Sequence, residues 1–159
     1  MGAYTILKTL HVLSAIVLVG VGLGTAFAMV AAHHGENRRR DPAALALVAR
    51  NVVLADWVFT TPAVIVQPLT GYLLMGELGL DWTEPWIAWA VGLYLFTGAC
   101  WLPVVVIQHR LAALAKAAAA GGHDLPPAYH RLYRVWFALG WPAFAAVLAI
   151  VWLMVARPG

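Results

Sequence analysis

The sequence predicts an all-α membrane protein, built as a bundle of four transmembrane helices. Of its 159 residues, 63% are hydrophobic and only 11% are charged, which is too few charges to cover a soluble globule of this size. Four apolar stretches each approach or exceed the roughly 20 residues that cross a bilayer as a helix. They are residues 4–32, 43–75, 85–108 and 132–156. The segments between them are too short for a soluble domain, so residues 1–159 are predicted to form a single four-helix membrane domain.

The first stretch is predicted to be a retained helix and not a cleaved signal peptide. Its apolar run is far longer than the roughly 7–15 residues of a signal peptide's hydrophobic region, and no basic segment precedes it. Gly20, Gly22 and Gly24 make this helix thin over two turns. Thinness permits close helix packing, including a homodimer through Gly20 and Gly24, and it equally leaves room for a flat macrocycle.

The second and third helices are predicted to be longer than a bilayer requires. Asp41 and Pro42 form a helix start, with an N-cap residue followed by proline at the first helical position. From there to Met75 the chain would form roughly 50 Å of helix, against a hydrocarbon core of about 30 Å. The third helix continues until residues 121–122, two glycines that stop it. We therefore expect cytoplasmic extensions of helices two and three.

Basic residues determine the predicted orientation. The connections between helices one and two and between helices three and four carry eight bases, and the connection between helices two and three carries none. The eight are Arg38, Arg39, Arg40, Arg50, Arg110, Lys116, Arg131 and Arg134. By the positive-inside rule these two connections are cytoplasmic and both termini face outward (N-out, C-out). The net charge of +3 then indicates contact with the anionic lipid of the bilayer, and not with nucleic acid.

Two ionisable residues lie inside the first predicted span. Lys8 and His11 are three positions apart on one helix face, and such groups are costly enough within a bilayer to suggest a function. Imidazole is the commonest protein ligand for metals and also binds haem iron. Counting inward from Tyr4 and from Met75 puts His11 and Gln67 at a similar depth, roughly 10 Å. We predict that His11 ligates a b-type haem, that Lys8 neutralises a propionate, and that Gln67 accepts a hydrogen bond from the non-ligating ring nitrogen.

Another interpretation of His11 stays open at this point. In it, His11 is a neutral histidine bonded to Gln67 or to a freed backbone carbonyl, and Lys8 extends to the lipid headgroups. If haem does bind, no second histidine lies at the same depth. The iron is then five-coordinate, or it takes a second ligand from Met75, Met154, Tyr94 or a partner chain.

Four histidines lie at the predicted cytoplasmic boundary and suggest a second site. They are His33, His34, His109 and His130. Imidazoles at one level can bind zinc or copper, or can ligate a second haem through His109 and His130. The alternative is that these histidines are merely interfacial.

Asp56 is a further anomaly, because it lies about two turns inside helix two on that helix's polar stripe. A carboxylate at this depth needs a partner or a function. We expect an ion pair with Arg50 or Arg134 that ties helices together, and a proton-relay carboxylate is the alternative.

Residues 7–20, Leu-Lys-Thr-Leu-His-Val-Leu-Ser-Ala-Ile-Val-Leu-Val-Gly, resemble the first helix of HemJ-type protoporphyrinogen oxidases and, more loosely, of CopD-type copper-resistance membrane domains. Both families have a lysine-x-x-histidine on helix one, followed by a patch of small residues. The resemblance implies functional roles for Lys8 and His11, and a haem b bound within a four-helix bundle. Over nearly its full length, including residues 55–60, 101–105 and 140–144, the chain also resembles an uncharacterised family of small bacterial predicted integral membrane proteins. That resemblance implies the fold and the inner membrane but no activity.

These observations predict a b-type haem protein that transfers electrons or oxidises a lipid-soluble substrate. A quinone or a porphyrin-like molecule would enter from the bilayer. Two alternatives belong to other functional classes. One is a metal-handling or small-solute transport protein akin to CopD, and the other is a non-catalytic membrane subunit.

Overall fold

The computed structural model describes residues 2–34 and 41–157, and this part of the chain consists of helices and short connections. The helices are α1 (Ala3–His34), α2 (Pro42–Leu78), α3 (Pro85–Gly121) and α4 (Pro127–Ala156). Each of the four is long and apolar enough to cross a membrane. The predicted fold class, an all-α bundle of four transmembrane helices, is confirmed.

The two ends of the bundle differ in charge. We call the end with the start of α1 and the finish of α4 the terminal end, and the end with Arg50, Arg110 and Arg134 the basic end. Three further arginines that contribute to the predicted orientation, at residues 38–40, lie outside the described residues. The side of the membrane that each end faces therefore stays a prediction.

α2 and α3 are longer than a bilayer requires, as the sequence predicts. Each runs for 37 residues, roughly 55 Å, which exceeds a hydrocarbon core of about 30 Å. α2 starts as predicted, because the Asp41 carboxylate accepts the backbone N–H of Ala43 at 2.9 Å and Pro42 follows the cap. α3 ends at Gly122, whose φ of 63° is left-handed and suits glycine.

One turn of α2, Asp56–Thr60, is π-helical, which the sequence analysis did not predict. Pro62 supplies the physical reason. Its ring has no N–H for the carbonyl of Val58 and crowds that carbonyl, and a widened turn relieves the conflict. The backbone N–H of Thr61 accordingly bonds to the carbonyl of Asp56, five residues earlier. Within this turn Asp56 and Thr60 are both buried.

The main core lies towards the basic end. There, the first half of α2 packs against α1 and α3, and α3 packs along α4. Met29, Leu111 and Tyr129 are fully buried in the cluster that these helices form. Towards the terminal end, α1 pairs with the second half of α2, while a smaller cluster containing Trp86 and Leu153 joins α3 to α4. The terminal half is therefore built from two helix pairs.

The glycines of α1 do not pack closely within the chain. A Cβ atom added at Gly20, Gly22 or Gly24 would meet nothing within 4 Å. The close approach that these residues permit is thus not used by the described helices. A homodimer through Gly20 and Gly24 stays a prediction.

A hydrogen bond joins the two helix pairs where Pro68 interrupts α2. Because proline lacks an N–H, the carbonyl of Val64, four residues earlier, loses its partner within the helix. The hydroxyl of Tyr94 on α3 donates to this carbonyl. An unpaired carbonyl in hydrocarbon is costly, so Tyr94 satisfies a group that Pro68 leaves free.

Replacing Tyr94 by phenylalanine should lower the free energy of unfolding by about 1 kcal/mol, because it removes an interhelical hydrogen bond within the membrane. In a Pro68→Ala background the restored N–H can bond to Val64, so Tyr94→Phe should cost much less there. A double-mutant cycle on detergent-solubilised protein measures both costs. Equal costs in the two backgrounds would contradict the proposal that Tyr94 satisfies the Val64 carbonyl because Pro68 cannot.

The predicted orientation can be measured with single cysteines in a Cys100→Ala background. Thr83 and His123 are exposed residues in the connections at opposite ends of the bundle. On intact cells, a membrane-impermeant maleimide should label Thr83→Cys and leave His123→Cys unlabelled until the membrane is broken. The reverse pattern would show that the basic end faces outward.

Candidate functional site

His11 lies between α1 and α2, and both of its ring nitrogens have hydrogen-bond partners on α2. Nδ1 is 2.9 Å from the hydroxyl of Thr70, and Nε2 is 3.2 Å from the side-chain nitrogen of Gln67. The Gln67 amide nitrogen can only donate, so Nε2 accepts, and Nδ1–H donates to the Thr70 hydroxyl, which also bonds to the carbonyl of Val66 at 2.7 Å. His11 is thereby a neutral imidazole with its proton on Nδ1. Its Nε2 lone pair accepts from the Gln67 amide.

Ser14 completes this arrangement. Its hydroxyl donates to the side-chain carbonyl oxygen of Gln67, which turns the amide nitrogen towards His11. Ser14 and Thr70 are both buried. His11, Ser14, Gln67 and Thr70 form what we call the His11 cluster, a hydrogen-bonded network between two helices within the terminal half of the bundle.

A glycine allows the imidazole to lie this close to α2. A Cβ atom added at Gly71 would lie 3.2 Å from Cε1 of His11, tighter than ordinary van der Waals contact. Glycine at this position therefore leaves the space that the ring needs. The sequence analysis did not single out Gly71, because nothing local marks it as a neighbour of His11.

The structure brings His11 and Gln67 together, as their matching depths suggest, but their hydrogen bond differs from the prediction. Gln67 was expected to accept from the ring nitrogen that does not ligate. It instead donates to Nε2, the nitrogen that carries the lone pair. Thr70 accepts from the other nitrogen, and its role was missed although it follows Gln67 by three positions on the same helical stripe.

Lys8 is exposed and has no hydrogen bond within the His11 cluster. Its ammonium lies 5.6 Å from the centre of the Tyr4 ring, within the range of a cation–π interaction. Tyr4 lies one turn nearer the N-terminus. The Lys8 side chain therefore extends towards the terminal end.

Three histidines towards the basic end, His33, His34 and His109, each bond to a backbone carbonyl of their own helix. His33 is buried, donates from Nδ1 to the carbonyl of Met29 at 2.6 Å, and accepts from the hydroxyl of Tyr129 through Nε2 at 3.1 Å. Its ring also stacks on Tyr133, with 3.7 Å between the ring centres. His33 thus links α1 to α4 as a core residue. His34 is exposed and bonds to the carbonyl of Val30.

His109 is likewise engaged by its surroundings. Its Nδ1 donates to the carbonyl of Val105 at 2.9 Å, and its Nε2 accepts from the indole nitrogen of Trp57 at 3.4 Å. Within residues 2–34 and 41–157, no group of three or more His, Cys, Asp and Glu side chains is placed to hold a metal ion. The prediction of a metal site shared by three or four imidazoles is therefore wrong for this part of the chain. A two-histidine site at His109 and His130 stays a prediction.

Asp56 does not form the expected ion pair. Its Oδ1 accepts from the hydroxyl of Thr60 at 2.9 Å, and its Oδ2 has no hydrogen-bond partner among the described residues. Arg50 and Arg134, the two expected partners, are exposed residues. Their long side chains reach solvent or headgroups more cheaply than they reach a buried carboxylate.

Comparison with known proteins places the chain in a family. The sequence profile of that family, described as "Predicted integral membrane protein (DUF2269)", matches residues 5–158. No curated protein and no solved structure matches the chain. The match covers nearly the whole length, and it agrees with four helices that are able to cross a membrane. This chain belongs to the DUF2269 family of integral membrane proteins.

Proposed function

We propose that this membrane protein binds a b-type haem through His11, and that it transfers electrons or oxidises a lipid-soluble substrate such as a quinone or a porphyrin-like molecule in a bacterial inner membrane. The observation that supports the proposal most is the tautomer of His11. Thr70 holds the proton on Nδ1, so the lone pair is on Nε2. Metal-ligating histidines have this arrangement, with the second nitrogen fixed by a hydrogen-bond acceptor.

The surroundings of His11 fit a haem ligand if one hydrogen-bond partner, the Gln67 amide, is replaced. Nε2 accepts from Gln67 through a long hydrogen bond of 3.2 Å, and iron would take the place of that amide. Ser14 would continue to hold the Gln67 carbonyl oxygen, and Thr70 would continue to orient the ring. The exposed ammonium of Lys8, one turn nearer the terminal end, is suited to pair with a propionate.

A bound haem supplies one-electron transfer, and the residues of the chain would tune it. The acceptor behind Nδ1 is a hydroxyl and not a carboxylate, so it orients the imidazole without adding a full negative charge. The apolar helices around the cluster lower the local dielectric constant. Both features are expected to influence the reduction potential through the ligand and its surroundings.

A second candidate function uses the same contacts without a cofactor. Each side chain of the His11 cluster has a hydrogen-bond partner within the cluster, which favours a structural clamp between α1 and α2. A protein stabilised in this way would suit the alternative of a non-catalytic membrane subunit. The metal-handling alternative has no support from a histidine cluster among the described residues.

The haem proposal predicts a Soret absorption band in the wild-type protein purified in detergent from haem-replete cells. His11→Ala should abolish the band, whereas Gln67→Leu should retain it, because removal of the amide frees Nε2. His123→Ala, in the connection at the basic end, is the matched control and should leave the band unchanged. A wild-type protein without a Soret band, or an unaltered band in folded His11→Ala, would overturn the proposal.

The clamp can be measured separately through stability. Thr70→Val should lower the free energy of unfolding by about 0.5–1 kcal/mol, because Nδ1–H of His11 loses its acceptor. Thr97→Val is the matched control, since the hydroxyl of Thr97 bonds to the carbonyl of Leu93 on its own helix. Thermal or denaturant unfolding in micelles gives the two values. Equal effects would show that the contact between Thr70 and His11 contributes nothing to stability.

A further inference from the structure

We propose that a cavity beside the π-helical turn of α2 binds a small lipophilic amine in its protonated form. The cavity has a volume of about 240 Å³ and lies between α2 and α3. Asp56, Trp57 and Thr61 line it from α2, and Trp101 lines it from α3 together with leucine and valine side chains. It is separate from the His11 cluster, so this proposal and the haem proposal can fail independently.

The carboxylate of Asp56 is the first observation that points to a cation. The residue is only 7% exposed, and it lines the cavity. One carboxylate oxygen accepts from Thr60, while Oδ2 has no partner among the described residues. Buried polar atoms are rarely left unpaired, and an unpaired buried charge is strongly unfavourable. A ligand that donates to Oδ2 would remove this penalty.

A second buried acceptor lies beside Asp56. Gln108 is only 4% exposed, and its side-chain carbonyl oxygen also lacks a partner in the described structure. Its side chain is close enough to Asp56 to interact with the carboxyl group. An ammonium group, which has several N–H donors and no acceptor, matches the unpaired Oδ2 of Asp56 in the cavity wall, and the carbonyl oxygen of Gln108 is a further acceptor beside that carboxyl group.

The charges around the cavity favour a cation as its occupant. Asp56 is the one acidic or basic residue among the residues that line it. The nearby imidazole of His109 has both nitrogens engaged, by the carbonyl of Val105 and by the indole of Trp57. The cavity thus places a carboxyl group, and no lysine or arginine, against the ligand. The aromatic faces of Trp57 and Trp101 are also suited to a cation.

The size and the walls of the cavity indicate the rest of the ligand. A cavity of about 150 Å³ is known to hold benzene, so about 240 Å³ accommodates one ring with a short aminoalkyl chain. Trp57 and Leu102 are exposed on the lipid-facing side, so the ligand would enter from the bilayer. The indole N–H of Trp101, which also lacks a partner among the described residues, offers a donor to a ligand hydroxyl.

Two sources could supply this ammonium chemistry, namely a free lipophilic amine and the headgroup of phosphatidylethanolamine. The test therefore uses the full-length protein in nanodiscs of phosphatidylcholine and phosphatidylglycerol, which contain no primary amine. 2-Phenylethylamine is the probe, and 2-phenylethanol is its uncharged analogue of similar size. Binding is followed by tryptophan fluorescence and by calorimetry.

The expected result is saturable binding of 2-phenylethylamine that is about tenfold or more tighter than binding of 2-phenylethanol, because only the amine can pair with the carboxylate. Asp56→Asn should weaken amine binding by a similar factor and leave the alcohol unaffected. Asp41→Asn, a change at the exposed cap of α2, is the matched control and should change neither. Nanodiscs that contain phosphatidylethanolamine then identify the natural source of the ammonium group. Weaker binding of 2-phenylethylamine in these nanodiscs indicates that the lipid headgroup competes for the cavity, and unchanged binding indicates a free amine.

Three results would overturn the proposal. The first is no saturable binding of the amine by the wild type. The second is equal binding of the amine and the alcohol by the wild type, a comparison that needs no variant to fold. The third is unchanged amine binding by Asp56→Asn protein whose unfolding midpoint matches that of the wild type. A carboxyl group that only carries a proton would give the first or the second of these results.

Discussion

Hydrogen bonding without water is the constraint on which this structure depends. Inside a bilayer, a polar side chain or a freed carbonyl must find its partner within the protein. The contacts that cross between helices follow from this requirement. Thr70 pairs with His11 between α2 and α1, Tyr94 pairs with Val64 between α3 and α2, and Tyr129 pairs with His33 between α4 and α1. Each bond satisfies a polar group and fixes the position of two helices at once.

The two sites discussed above represent opposite outcomes of this constraint. In the His11 cluster each side chain has a partner, so the network is stable as it stands, and iron would have to displace the Gln67 amide. At Asp56 the hydrogen bonding is incomplete, because one carboxyl oxygen and the carbonyl oxygen of Gln108 have no donors among the described residues. The first site is arranged to orient a ligating nitrogen, whereas the second lacks donors that a ligand could provide.

Two prolines of α2 shape its polar contacts. Pro62 accompanies the π-helical turn in which Asp56 is buried, and Pro68 frees the carbonyl that accepts from Tyr94. Both act because proline cannot donate from its backbone nitrogen. Backbone irregularity at membrane depth is tolerated only where the protein satisfies the freed groups. In α2 both prolines are themselves exposed, and the carbonyl that Pro68 frees is satisfied by Tyr94 of the neighbouring helix.

The sequence by itself determined the number of helices, their approximate ends, the excess length of α2 and α3, and the similar depth of His11 and Gln67. These features depend on local hydropathy, on cap residues and on the thickness of a bilayer. The tertiary structure alone decided that Thr70 accepts from His11, that Gly71 makes room for the ring, that Asp56 pairs with neither Arg50 nor Arg134, and that His33, His34 and His109 each bond to a backbone carbonyl. In a transmembrane helix most of the surface is apolar on all sides, so hydrophobic periodicity says little about how each helix is rotated about its axis. Rotation and side-chain conformation decide which polar atoms meet, and only the packed helices fix them.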